Sequence, residues 1–126
     1  MQIRGRVDRI DHLPGGVVMV LDYKTESSDK TRARISDPLE DTQMAFYAAL
    51  LPQDTLRGAY VNISEKKTAT MEQADIVQAR DALIEGMLSD MQRIAEGAPL
   101  PALGQGKACE YCDARGLCRK DFWGST

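Results

Sequence analysis

Apolar positions along the chain change their spacing several times, and each change marks an element. The stretch Gln2 to Leu13 is followed by Pro14-Gly15-Gly16 and then by the apolar run Val17-Val18-Met19-Val20-Leu21. A β-branched run bounded by turn residues predicts a strand, and the two stretches around Pro-Gly-Gly predict a β-hairpin. Residues 25–37 are polar, contain Ser27-Ser28-Asp29 and the alternating cations Lys30, Arg32 and Arg34, and show no apolar period, so they predict a loop. Asp37-Pro38 supplies a helix start, and Leu39, Phe46, Tyr47, Leu50 and Leu51 recur at helical spacing until Pro52. Tyr60, Val61 and Ile63 predict a strand over residues 56–64. Thr70 and Gln73 have the spacing of a capping box, and Ile76, Leu83, Ile84, Met87, Leu88, Met91 and Ile94 trace one face of a long helix that stops at Gly97.

The order β-β-α-β-α predicts an α/β (α+β) fold, a small mixed sheet flanked by helices. Pro99, Pro101, Gly104 and Gly106 then form a linker, which divides the chain into a core of residues 1–98 and a cysteine-containing tail of residues 99–126. With 126 residues, 43% of them apolar, the expectation is one modest core. No apolar run approaches the roughly 18 to 20 residues that span a bilayer, and the opening Met-Gln-Ile-Arg-Gly-Arg lacks the apolar stretch of a signal peptide. A soluble, cytoplasmic protein with no membrane partner is expected.

Charge narrows the choice of partner by its distribution. The net charge is −3, yet residues 1–34 carry seven basic against five acidic side chains, while residues 35–106 carry five against eleven. A polyanion is therefore expected to meet the ends of the chain and not its middle. Arg4, Arg6, Lys30, Arg32 and Arg34 are the candidate phosphate contacts, which would position a nucleic acid without reading its sequence.

The chemistry concentrates around three residues. Asp8 is expected on the first strand and Asp22 at the end of the second, with Lys24 two residues on, so the hairpin would gather them. Strand alternation points Asp22 and Lys24 to one face and Tyr23 to the other. Paired carboxylates repel unless a cation lies between them, and hard oxygen ligands suit Mg²⁺ or Mn²⁺. A lysine beside such a metal helps to orient or deprotonate a water and stabilises charge on a phosphate. Asp11, of opposite parity to Asp8, reads as an ion-pair partner for Arg9 or Arg4, and His12, the only histidine, as a surface residue. Gln43 and Tyr47, four apart on a helix, share one face.

Gly5-Arg6-Val7-Asp8-Arg9-Ile10-Asp11, Leu21-Asp22-Tyr23-Lys24-Thr25 and Gln43-x-x-x-Tyr47, in that order, resemble the successive motifs of RecB-like and AddB-like nuclease domains of the PD-(D/E)XK superfamily. The resemblance implies a restriction-endonuclease-like fold and a Mg²⁺- or Mn²⁺-dependent DNA nuclease, an exonuclease of DNA repair or recombination. It implies Asp8 and Asp22 as metal ligands, the Tyr23 backbone carbonyl as a third oxygen, and Lys24 as the catalytic lysine. Gln43 and Tyr47 would position DNA and the active site, and a helicase subunit or domain would accompany the nuclease in a bacterial cytoplasm.

Cys109, Cys112 and Cys118 lie within ten residues, an odd number that suits a metal site better than disulfides. Their tail is similar to that of the iron–sulfur members, whose fourth cysteine lies far upstream, so the resemblance implies an incomplete cluster site and a chain that lacks the opening helix and strand of the fold. An exposed sheet edge would then favour dimers in a crystal. The competing reading is a non-catalytic DNA-binding or iron–sulfur-stabilised structural module.

Overall fold

The computed structural model describes residues 2–100 and 107–118. Two compact units are present, Met1–Ser89 and Asp90–Thr126. The first holds a mixed sheet with helices against it, as the element order predicts, but with four strands where the sequence pattern gives three. Strands β1 (Arg9–Leu13) and β2 (Val17–Lys24) form the expected antiparallel hairpin. Its turn needs Gly15 and Gly16, whose φ values of 80° and 76° disfavour any side chain with a Cβ.

The chain leaves β2, crosses over through α1 (Ser28–Ser36) and α2 (Gln43–Ala49), and returns as β3 (Leu56–Ile63) parallel to β2. Strand β4 (Thr68–Gln73) closes the sheet antiparallel to β3, and α3 (Ile76–Ala95) follows. The core forms on the face that bears Val18, Val20 and Tyr60, packed with Met44 and Ala48 of α2 and Ile76 of α3. Gly58 makes this packing possible, because a Cβ there would lie 2.7 Å from Met44 Cγ. Arg80, nearly buried, anchors the start of α3 by donating to the Gln53 carbonyl at 2.8 Å and to Asp54 at 2.9 Å.

Four local expectations need correction. The stretch Gln2 to Leu13 becomes a strand only from Arg9, because residues 2–7 lie without regular structure beside α2, where Gly5 sits so close that a Cβ would be 2.8 Å from Leu50 Cδ1. Residues 25–37 are not a loop, since Ser27 caps α1 by accepting from Lys30 N at 3.3 Å, and this helix turns polar Thr31 inward, where no apolar period reveals it. The helix read from Asp37 begins only at Gln43, and Asp37 instead holds a turn by accepting from Leu39 N and Glu40 N. The capping box at Thr70 and Gln73 is part of β4, whose buried Gln73 donates to the Ile35 carbonyl at 3.1 Å.

In the second unit, α3 ends at Ala95, and Gly97 stops it as expected, with φ at +86° and Ala98 N donating to the Arg93 carbonyl at 2.9 Å. Two short helices follow, α4 (Lys107–Glu110) and α5 (Arg115–Cys118). The apolar face of α3 is buried only at its start, for Leu88, Met91 and Ile94 are 51%, 49% and 44% exposed. No helix among the described residues is long and apolar enough to cross a membrane.

Candidate functional site

The end of β2 carries the site. Alternation along this strand sends Val18, Val20, Asp22 and Lys24 toward the helices, while Tyr23 stands on the other face, 40% exposed, with its hydroxyl 3.4 Å from Arg9 Nη1. An acid therefore continues a row of core valines, and Asp22 is only 3% exposed. Burying a carboxylate this deeply is costly unless its oxygens are compensated.

Both oxygens are compensated. Asp22 Oδ1 accepts a hydrogen bond from Gln43 Nε2 at 3.2 Å. Asp22 Oδ2, also buried, is paired with the Lys24 ammonium, 2.7 Å away. Lys24 Nζ points its short hydrogen bond at Gln43 Oε1, 2.6 Å away, and stands 5.3 Å from the centre of the Tyr60 ring, which is fully buried beneath it. Burial holds the Tyr60 phenol well above its usual range, so it stays neutral. Gln43 Nε2 also donates to Tyr47 Oη at 3.0 Å, as their spacing on one helical face allows.

Asp8 sits in a bend one residue ahead of β1, exposed, and reaches across the hairpin to accept from Tyr23 N at 3.1 Å. The register pairs Arg9 with Leu21, which sets Asp8 beside the Asp22 end of β2. Among the described residues no three His, Cys, Asp or Glu side chains gather to hold a metal. A cation here would rest on two carboxylates and a backbone carbonyl. The donor set fits a hard divalent ion, because it is all oxygen and includes the buried carboxylate of Asp22.

The remaining sequence candidates lie in different surroundings. Asp11 pairs with Arg9 through two 2.7 Å hydrogen bonds, and His12 is exposed on β1. Arg4, Arg6, Lys30 and Arg32 are exposed, with Arg4 Nη2 3.2 Å from Gln2 Oε1 and Arg32 3.5 Å from Asp29. Arg34 is engaged by carboxylates: Nε and Nη2 donate to Glu26 at 2.7 and 2.9 Å, and Nη1 donates to Asp41. Cys109 is half-buried, Cys112 and Cys118 are exposed, and all three are free. Three thiols that do not gather do not by themselves fit an iron–sulfur cluster, which takes four ligands.

Sequence reading passed over Glu26, Thr31, Asp41, Tyr60 and Asn62. Asn62, 1% exposed, donates to Thr31 Oγ1 at 2.9 Å and to the Glu26 carbonyl at 2.8 Å, while Thr31 Oγ1 donates to Glu26 at 3.1 Å. The one signal available was a polar residue, Asn62, set between the β-branched Val61 and Ile63.

A family model described as PD-(D/E)XK nuclease superfamily matches residues 1–119. No individual curated protein and no solved structure matches the chain.

Proposed function

The chain belongs to the PD-(D/E)XK nuclease superfamily, and from that premise we propose that it hydrolyses DNA phosphodiesters with Mg²⁺ or Mn²⁺ held at Asp8 and Asp22. One observation carries the proposal: Asp22, 3% exposed, is buried with Lys24 as an ion pair at the end of β2, and Gln43 holds both side chains. Packing alone would not favour such a buried pair, because desolvating two charges costs about as much as their attraction returns.

Asp8, Asp22 and the Tyr23 carbonyl would hold the cation, which supplies Lewis acidity and lowers the pKa of a bound water. The chain's own residues do the positioning. Lys24 presents its ammonium on the same face as Asp22, where it stabilises charge on a phosphate oxygen or holds the attacking water. Gln43 fixes both partners, receiving Lys24 Nζ on its oxygen and donating from its nitrogen to Asp22, and Tyr47 takes the other bond of that nitrogen. The exposed Lys30 and Arg32 supply phosphate contacts on the helix that follows the site. The order of the motifs supports a RecB-like exonuclease working in DNA repair or recombination beside a helicase.

Calorimetric titration of Mn²⁺ into the chain, thiols blocked, is expected to show binding that Asp22→Ala abolishes. Cleavage of linear DNA is expected to fall at least about a hundredfold in Asp22→Ala and in Lys24→Ala, with the circular dichroism spectrum unchanged. Retained cleavage in both variants would overturn the assignment. Absence of Mn²⁺ binding by the unsubstituted chain would favour the non-catalytic DNA-binding module.

A further inference from the structure

Two carboxylates and an arginine outside the motif residues join the two ends of the crossover that carries the site. Glu26, two residues beyond Lys24, receives the Arg34 guanidinium on both oxygens, at 2.7 and 2.9 Å. Arg34 Nη1 donates to Asp41 Oδ2. Asp41 Oδ1 accepts from Gln43 N at 3.3 Å and lies 3.5 Å from the hydroxyl of Tyr60, the ring under Lys24. Gln43 closes the circuit by holding Lys24 and Asp22. Every member is at least partly withdrawn from water, with side-chain exposures of 16% for Glu26, 32% for Arg34 and 20% for Asp41.

From this circuit we infer that Arg34 is a positioning residue, which acts through Asp41 to set the first residue of α2, Gln43, against Lys24 and Asp22. The inference rests on the nuclease reading for its consequence in catalysis, although the link to Gln43 stands on geometry alone. Helix α2 needs such a device, because Thr42 provides no side-chain cap and Asp41 takes the Gln43 N–H in its place. A phosphate-binding role for Arg34 is disfavoured by the same contacts. Its fork already faces two carboxylates, and the groove it lines, about 620 Å³, also contains Glu40 and Asp41, which would repel a phosphate.

The full chain, labelled with ¹⁵N, provides the test through the Gln43 side-chain amide, identified by its loss in Gln43→Glu. In Arg34→Met and in the isosteric Asp41→Asn this amide is expected to lose its protection from hydrogen exchange by about tenfold. In both, kcat on DNA is expected to fall by about tenfold to a hundredfold with KM within about twofold. The double variant is expected to lose no more than either single one, as residues in one chain of contacts are not additive. Arg80→Met, which removes the ion pairs to Asp54 and Asp81 elsewhere in the fold, is expected to leave the Gln43 amide unmoved. An unmoved Gln43 amide in folded Arg34→Met and Asp41→Asn overturns the inference. So does a raised KM with unchanged kcat and a shallower salt dependence, which marks Arg34 as a phosphate contact. A Gln43 amide that responds as stated in a chain that never cuts DNA upholds the positioning link and sinks the nuclease reading alone.

Discussion

Glu26 shows how a residue without a motif shapes the site. Its carboxylate is held below the ordinary glutamate value of 4.5 chiefly by hydrogen bonds from Arg34, against the opposing effect of burial. A folded-state value below the unfolded one gives stability that is complete above the unfolded value and is lost as pH falls through the folded one. Glu26→Gln is therefore expected to lower unfolding free energy at neutral pH by about 2 kcal/mol, since it removes a charged partner from two hydrogen bonds. Urea unfolding of both proteins should show this gap constant above pH about 5 and closing toward acid. A gap that persists unchanged into acid would mean that the loss came from packing and not from charge. Asp22 was legible in the sequence because an acid at the end of an apolar strand is out of place. Glu26 and Asp41 were not, because nothing in a polar stretch tells which acid will meet Arg34.

At the scale of elements, the site depends on how closely α2 approaches the sheet. Gly58 of β3 faces Met44, one residue beyond Gln43, and a Cβ there would lie 2.7 Å from Met44 Cγ, 2.8 Å from its Sδ and 3.3 Å from Ile76 Cγ1. Gly58→Ala is expected to cost about 1–3 kcal/mol by overpacking. It should also lower cleavage more than Ala82→Gly, a change on an exposed helical position, when both are compared at equal stability. Equal cleavage in the two would show that the site tolerates displacement of α2. Regular elements were readable wherever one face is apolar, as in β2 and the first turns of α3. Helix α1 was missed because its inward residue is Thr31, and β4 because Thr-Ala-Thr-Met-Glu-Gln matches a helix start as well as it matches an edge strand.

For the molecule as a whole, the charge is uneven, and net −3 hides a basic beginning. With Arg34 consumed internally, Lys30 and Arg32 on α1 are the exposed cations nearest in sequence to Lys24. Lys30→Ala and Arg32→Ala are each expected to weaken DNA binding at low salt and to reduce the salt slope of the affinity by about 1, measured by fluorescence anisotropy between 50 and 200 mM salt as a rough working range. A slope equal to that of the unsubstituted chain would remove α1 from the DNA-binding surface. The sequence by itself determined the hairpin, the parity that puts Asp22 and Lys24 on one face, and the helical spacing of Gln43 and Tyr47, because these follow from local backbone periodicity. It took the tertiary structure to show that Gln43 bridges Lys24 and Asp22, that this acid and lysine are buried as a pair, and that Arg34 turns inward to Glu26 and Asp41. Those depend on segments from different parts of the chain, and the partners are selected by the crossover of the chain and by burial, neither of which a local pattern records.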